Sequence, residues 1–384
     1  MLQQYKNICF FDKMFIFLRH IILKMETIHK SVVFLLPCSG AKPSGGVKVA
    51  FEYANRLAVD GYKVSVVYPA SLFFSSVSLK RKISALVFYF YYLFTQKYKS
   101  DKWFTLDKRI SQLWVWSLSE NLVPRADIYV ATSAKTAGYL QDYKKNSKKL
   151  YLIQHFEDWD WDRDKVLATY HGPFQKIVIA DWLMKIMEDN NETATLIQNG
   201  FDFDYFQKKI DFKDKNKFII TMLYHIAEWK GCEDGFEALN IVKERHPELS
   251  VNLFGVFPRP QFLPEWYHYY ENPDKETHNK IYNEAAIFVG PSHGEGFCLT
   301  PPEAMQCGCA VACTDIGGYR EVCIDNKTAL LSPVKDYKAL ANNIIRLIED
   351  DALRLRIAKT GYENIKNFTW ERAYNKFLKV IESA

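Results

Sequence analysis

At 384 residues the chain is long enough for two domains of ordinary size, and its 48% hydrophobic and 25% charged content is that of a globular protein, not of a disordered or fibrous one. A formal net charge of +5 gives no general argument for nucleic acid, so the local placement of Lys and Arg matters more. Eight cysteines, several in apolar runs, read as reduced thiols of a cytoplasmic protein and exclude a disulfide framework.

Residues 1–24 are apolar and basic, but Asp12, Lys13, Arg19 and Lys24 interrupt every run. Neither a signal-peptide core nor a spanning helix is expected there. The segment reads as an interfacial amphipathic helix or as an extension ahead of a true start at Met25. The first domain then opens with a βαβ pattern: a strand from Ser31, a helix with Val47, Ala50, Phe51, Ala54, Leu57 and Ala58 on one face, and a strand from Lys63. The loop between strand and helix is no Walker A motif, since Gly46 stands where the lysine is required, and no G-x-G-x-x-G. What remains is a glycine-rich backbone at a helix start, where Gly45 and Gly46 suit a tight turn or the close approach of a ligand.

From Lys80 to Lys108 the sequence changes character. Lys80, Arg81 and Lys82 precede the run Ile83 to Phe94, and Lys97, Lys99, Lys102 and Lys108 follow it. The run is too short to span a bilayer. It suits an interfacial helix with tyrosines at headgroup depth, or a buried helix with snorkelling lysines. Further strands are expected at Asp127 to Ala131 and Leu150 to Gln154, the second ending in the polar and aromatic cluster that begins Gln154-His155. Asp158, Asp160 and Asp162 alternate there among tryptophans, without the setting of a metal motif. Strands near Lys176 and Thr195 complete the domain, and the charged stretch Gln207 to Lys217 reads as a linker.

The second domain starts with a strand from Phe218, followed by His225, Lys230 and Gly231 before a helix. A lysine at a helix start opposes the macrodipole unless an anion sits there, which makes Lys230 a phosphate candidate. A Pro- and Tyr-rich loop is expected over 257–274. Two buried strands, Ala285 to Gly290 and Cys309 to Cys313, then flank a loop and short helix. Thr300 is the expected N-cap and Pro301 the first helical position. Glu303 either closes a capping box with Thr300 or contacts a ligand. Glu295, between two glycines after a strand, has no evident structural task, so a polar ligand such as a sugar hydroxyl is expected. Cys307, Cys309, Cys313 and Cys323 lack the Cys-x-x-Cys spacing of a metal site and read as small buried hydrophobes. The last helix begins near Trp370 and presents Ala373, Phe377 and Val380.

The stretch Glu295-Gly-Phe-Cys-Leu-Thr-Pro-Pro-Glu303-Ala-Met-Gln-Cys-Gly resembles the E-x7-E signature of family 4 of the retaining glycosyltransferases, and the following Asp-Ile-Gly-Gly agrees with it. The resemblance covers roughly Ser31 to Ala384. It implies the α/β GT-B fold: two Rossmann-like, doubly wound domains, with a last helix returning to the first. The implied layout is an extension at 1–29, an acceptor domain at 30–206, a nucleotide-sugar donor domain at 207–366 and the returning helix at 367–384. In that family the first Glu contacts the transferred sugar and the second the ribose, while the amides between them, here Gly296, Phe297, Cys298 and Leu299, bind diphosphate and sugar. Gly45 and Gly46 match its donor-phosphate loop, and Asn199-Gly-Phe-Asp202 its interdomain segment. His155 or Gln154 stands at its loop histidine. Lys230 matches its diphosphate lysine, but His225 stands where the family has arginine.

The resemblance thus implies a retaining transferase with Glu295, His155 and Lys230 as catalytic residues. It would move sugar from a nucleotide diphosphate to a glycan or lipid-linked acceptor, in surface polysaccharide or glycolipid assembly. No cofactor, metal or nucleic acid is implied, and an anionic membrane surface on the cytoplasmic side is a possible partner. The alternatives are a nucleotide-sugar epimerase, a phosphorylase, or a weakly catalytic binding subunit of a polysaccharide-assembly complex, which His225 in place of Arg favours.

Overall fold

The computed structural model describes residues 30–72, 79–144, 146–159, 161–261 and 263–383. The extension at 1–29 and Asp160 lie outside them. Two compact units are present: Val178–Ile186 and Leu196–Phe377 form one, and the other described residues form the first.

The first unit holds a sheet of strand order β3-β2-β1-β4-β5-β6-β7. Its strands are β1 (Ser31–Leu35), β2 (Lys63–Pro69), β3 (Ser111–Val115), β4 (Ile128–Ala131), β5 (Lys148–Ile153), β6 (Gln175–Val178) and β7 (Thr195–Leu196). β1 pairs in parallel with β2 and β4, and β2 with β3. Because helices cover both faces of such a sheet, β1 and β2 are nearly continuous apolar runs buried almost throughout. The helix α1 (Gly45–Val59) buries the whole face expected for it. α2 (Leu79–Thr95) follows β2, α3 (Ala134–Leu140) follows β4 and α4 (Arg163–Tyr170) follows β5, while α5 (Asp181–Asp189) lies in the second unit up to Ile186 and in the first from Met187.

The second unit is a fully parallel sheet of order β10-β9-β8-β11-β12-β13. It comprises β8 (Asn216–Leu223), α6 (Cys232–Arg245), β9 (Ser250–Gly255), β10 (Tyr267–Glu271), α7 (Lys275–Glu284), β11 (Ala285–Gly290), α8 (Thr300–Gln306), β12 (Ala310–Thr314), α9 (Gly317–Arg320), β13 (Leu330–Ser332), α10 (Tyr337–Glu349) and α11 (Asp351–Ile365). Its core is made of Ile220, Met222, Leu239, Val251, Val289 and Ile344 among others.

Each sheet reverses its strand order beside its first strand, the doubly wound pattern that places ligands at carboxyl ends. α12 (Trp370–Glu382) starts in the second unit and its end from Leu378 belongs to the first. There Lys148 Nζ donates to the carbonyls of Val380 at 2.5 Å and Ile381 at 3.2 Å, a cation satisfying the last turn of a helix.

Three expectations are corrected. The loop over 257–274 contains β10, an edge strand on β9. The stretch expected as a linker is bound to the second unit: Lys209 N–H donates to Asn283 Oδ1 at 2.6 Å, and buried Lys215 donates to the carbonyls of Tyr282 and Ala285. And α8 begins at Thr300 itself, with Leu299 in the cap position and no side-chain cap.

Candidate functional site

In the second unit β8 runs through Tyr224 and His225 into a single 3-10 turn at Glu228–Lys230, and Gly231 opens α6. Gly231 has φ +61°, and a Cβ there would collide with the carbonyl oxygen of Pro291. Only glycine allows both the left-handed backbone and that approach. The turn therefore lies directly against the loop after β11, where His293 N–H donates to Trp229 O at 2.7 Å. The His293 ring nitrogen Nε2 stands 2.6 Å from Asp234 Oδ2 in the first turn of α6.

This contact between the two loops brings Lys230 to Glu295, with Nζ 2.7 Å from Oε1. The same Oε1 accepts from Ser292 Oγ at 3.0 Å, and the Ser292 carbonyl accepts from Thr314 Oγ1 at the end of β12. On the far side a Cβ at Gly318 would stand 2.8 Å from Glu295 Cβ, so Gly318 makes room for the loop. Glu295 is thus fixed by β11, β12 and the β8–α6 turn together. The two charged side chains are 21% and 18% exposed. Withdrawing both charges this far from water costs hydration that their attraction largely offsets, so such a pair is weak evidence for a purely structural role. Folding alone does not account for it.

His225 sits beside this pair. Its Nδ1 accepts the Ala227 N–H at 2.9 Å, which leaves the proton of a neutral ring on Nε2. Burial, then the nearby Lys230, push its pKa below the ordinary histidine value, against a smaller upward pull from Glu295. The ring at the arginine position is therefore a neutral hydrogen-bond donor at pH 7.

Between the two glutamates Phe297, Cys298, Pro301 and Pro302 are buried, and Leu299 and Thr300 are half-buried. Phe297 is buried and its ring stacks on Phe201 at 5.7 Å, and Cys298 is buried with its thiol pKa pushed well up, chiefly by burial. The Gly296 carbonyl accepts from Trp182 Nε1 at 2.8 Å, and the Cys298 N–H donates to Gly318 O at 3.4 Å. Glu303 does not form the capping box with Thr300; its Oε2 accepts from the hydroxyl of buried Tyr282 at 3.2 Å. Cys307, Cys309, Cys313 and Cys323 are buried, and Cys309 Sγ donates to the Tyr282 carbonyl at 3.1 Å. Among the described residues no three His, Cys, Asp or Glu are grouped to hold a metal ion.

Three sequence candidates lie in the first unit. Gly45 and Gly46 open α1, whose cap residue Ser44 makes no side-chain cap bond, and the Gly46 carbonyl accepts from Gln154 Nε2 at 3.1 Å. Gln154 touches the glycine turn. The His155 ring meets Trp159 edge-on at 4.3 Å, and its Nδ1 lies 3.1 Å from the Phe156 carbonyl. Asp162 caps α4 by accepting from the Asp164 and Lys165 N–H groups, and Asp158 faces Arg163 at 3.6 Å.

The sequence reading missed Ser292, His293, Asp234, Thr314 and Gly318 as supports of Glu295. Ser292 and His293 stand three and two positions before Glu295 and Asp234 stands in the first turn after Lys230-Gly231, but their pairing needs two loops 59 to 65 positions apart to meet.

The family model described as Glycosyl transferases group 1 matches residues 204–364, which include both glutamates, Lys230 and His225. The lipopolysaccharide core biosynthesis mannosyltransferase LpcC of Rhizobium leguminosarum bv. viciae is 35% identical over 267 residues, 68% of this chain and 66% of that protein. The capsular polysaccharide biosynthesis glycosyltransferase CapM of Staphylococcus aureus is 27% identical over 207 residues, 48% of this chain and 54% of that protein. The chain thus spans about half to two thirds of the length of these curated relatives. In three dimensions, the Anabaena protein Alr3699/HepE, solved in complex with UDP-glucose, superposes with a TM-score of 0.69 over 93% of this chain and 100% of that one, at 16% identity. With both parallel sheets, the E-x7-E loop and the family match on one chain, it belongs to the group 1 glycosyltransferases and has the GT-B fold.

Proposed function

We propose that the chain is a retaining glycosyltransferase that moves a sugar from a nucleotide diphosphate to a glycan or lipid-linked acceptor. The observation that carries this reading is the Lys230–Glu295 pair at the carboxyl ends of β8 and β11, held at a left-handed glycine. In this reading a donor diphosphate takes Lys230 as its cation, and Glu295 turns its oxygens to the sugar hydroxyls. The amides of Gly296 to Leu299 and the neutral His225 Nε2–H add donors, and Glu303 holds the ribose.

As the bond from the anomeric carbon to the phosphate oxygen breaks, its electron pair leaves with the diphosphate, and Lys230 stabilises that charge most where it is largest. The acceptor hydroxyl forms the new bond on the same face and gives its proton to the departing phosphate oxygen. No side chain beside the anomeric position is assigned as nucleophile. Lys230 and the amides supply the charge stabilisation that a divalent cation supplies elsewhere. His155 remains a proposed contact of the donor sugar. Names of relatives such as LpcC and CapM favour an acceptor in surface polysaccharide or glycolipid assembly. Incubation with a panel of nucleotide sugars, followed by NMR of the product's anomeric configuration, tests the reading. Release of nucleoside diphosphate with inversion would refute the retaining path.

Peripheral association with an anionic membrane belongs to the same reading. No helix among the described residues is long and apolar enough to cross a membrane. Yet α2 exposes Ile83, Leu86, Val87, Phe88, Phe90, Tyr91, Leu93 and Phe94. Within 83–95 only the stripe Ala85, Tyr89 and Tyr92 is half-buried, with Tyr92 and Tyr89 edge-on to Trp114 and Trp116. A helix apolar almost all round and docked on one stripe needs a second apolar neighbour. Replacing Ile83, Val87 and Phe94 together by Ser is expected to reduce sedimentation with phosphatidylglycerol vesicles at least tenfold and leave the melting temperature near the parent's. Unchanged sedimentation would remove the membrane from this reading.

A further inference from the structure

The family match starts at residue 204, but the second unit also contains Val178–Ile186 and the chain from Leu196 onward, and both reach its glutamate loop. Trp182, in the first turn of α5, donates its Nε1–H to the Gly296 carbonyl at 2.8 Å. The start of α5 is itself tied down. Buried Glu321 accepts the Asp181 N–H on Oε1 and Gln198 Nε2–H on Oε2, each at 2.6 Å. A carboxylate at a helix N-terminus is favoured by the free N–H groups and the macrodipole there, so Glu321 fixes the helix end and Trp182 with it.

Two adjacent glycines allow this close packing. A Cβ at Gly317 would stand 2.6 Å from Trp182 Cγ, and one at Gly318 would stand 2.5 Å from the Glu295 carbonyl oxygen. The turn between β12 and α9 is thus pressed between the indole and the Glu295 loop, and a side chain on either glycine would part them.

The consequence for the loop follows from peptide geometry. A trans peptide is planar, and its C=O and N–H point in opposite directions. Holding the Gly296 carbonyl toward Trp182 therefore turns the Phe297 N–H away from it. Among the described residues that N–H meets no acceptor, whereas the next one, on Cys298, donates to Gly318 O. The buried Phe297 ring, stacked on Phe201 at 5.7 Å, anchors the residue and opposes a flip of the peptide.

We infer that Trp182 is a positioning residue for transfer: through the Gly296 carbonyl it aims the Phe297 N–H at the departing diphosphate oxygen, and Glu321 holds Trp182 in place. The role rests on the donor reading given above, which supplies that oxygen. A donor aimed in advance stabilises charge as it develops without reorganising, so its loss falls on the rate constant more than on ground-state affinity.

The test compares Trp182→Phe, which keeps an aromatic ring without the N–H, with Trp182→His. The imidazole superposes on the five-membered ring of indole with Nε2 at the place of Nε1, so His keeps the donor and loses most of the packing. Trp182→Phe is expected to lower kcat about tenfold and to change nucleoside diphosphate affinity less than about threefold, while Trp182→His keeps kcat within about threefold of the parent. Packing alone gives the reverse order, because Phe fills an apolar site better than His. A parental kcat in Trp182→Phe, or Trp182→Phe more active than Trp182→His, would overturn the role.

A second arm needs no change at Trp182. The chain has three Gly-Phe pairs, at 200–201, 235–236 and 296–297, so carbonyl-13C glycine with 15N phenylalanine gives three amide signals. The 296–297 signal is assigned by its loss in Phe297→Tyr. Titration with UDP, GDP, ADP and dTDP in turn should move that signal more than the other two. A nucleotide that binds by calorimetry without moving it would overturn the role of Trp182 and leave the donor site standing. A parent that binds none of the four would sink the donor reading, and this role with it.

Discussion

Two strand-to-helix turns, one in each unit, both place glycine at the start of the helix and end in different chemistry. The β1–α1 turn carries Gly45 and Gly46, and its backbone meets the neutral amide of Gln154. The β8–α6 turn carries Lys230 and Gly231, and it meets a carboxylate, Glu295, and a second loop held by His293 and Asp234. Glycine in the first turn gives room. In the second it is obligatory, because φ is positive and the Pro291 carbonyl lies where a Cβ would be. The comparison teaches that a glycine-rich βα turn is only a scaffold, and that the charge brought to it from the neighbouring loop decides what it can hold.

The contrast breaks first at Glu295. Glu295→Gln keeps the shape but removes the charge, and transfer is expected to fall about a hundredfold or more, with nucleotide affinity changed by less than about threefold. Equal loss of both would mean that Glu295 serves mainly to hold Lys230. Next in size, Lys230→Ala should lower nucleoside diphosphate affinity roughly ten- to a hundredfold, the loss of one charge-assisted contact. Isothermal titration reads this directly.

Stability separates the two turns most simply. Gly231→Ala should destabilise the chain by about 1–3 kcal/mol in urea unfolding, through its φ and the clash with Pro291. At Gly46 the nearest atom to a new Cβ is Gln154 Nε2 at 3.3 Å, the end of a flexible side chain. Gly46→Ala should therefore stay within about 0.5 kcal/mol of the parent. Similar losses at both positions would erase the distinction.

The smallest expected effect is that of pH on His225. Its folded pKa is depressed, so the folded state binds fewer protons than the unfolded one, and the stability it contributes is present above the ordinary histidine range near 6.5. That contribution is lost as pH falls through the folded pKa. A parent that loses more stability than His225→Gln between pH 7 and 5 fits this; parallel curves would show that the ring is not held neutral.

Much of this is legible in the sequence where local signals agree. Buried parallel strands such as β1, β11 and β12 show as apolar runs, and the face of α1 repeats with helical period. Two of the four sheet edges, β3 and β10, are not legible. β3 and β10 are covered on fewer sides, so Ser111–Val115 and Tyr267–Glu271 carry polar and tyrosine residues in place of an apolar run. α11 was missed because its sequence is charged and contains Gly361, although Asp350 caps it by accepting from Leu353 N–H. The 207–217 stretch looked like a linker because a lysine is normally solvated, and Lys215 is buried on two carbonyls that lie about 70 positions away. Glu303 shows the limit at the site itself. Its spacing from Thr300 fits a capping box, but Leu299 took the cap position and Tyr282 took the carboxylate.

The central claim is that Lys230, held against Glu295 at Gly231, is the cation for a donor diphosphate. Melting temperatures of the parent and Lys230→Ala, with UDP, GDP, ADP and dTDP titrated against each, test it most directly, because a ligand of the folded state raises the midpoint by mass action. One of these nucleotides is expected to raise the parent's melting temperature with concentration, and the shift should collapse in Lys230→Ala. An equal shift in both proteins would contradict the claim.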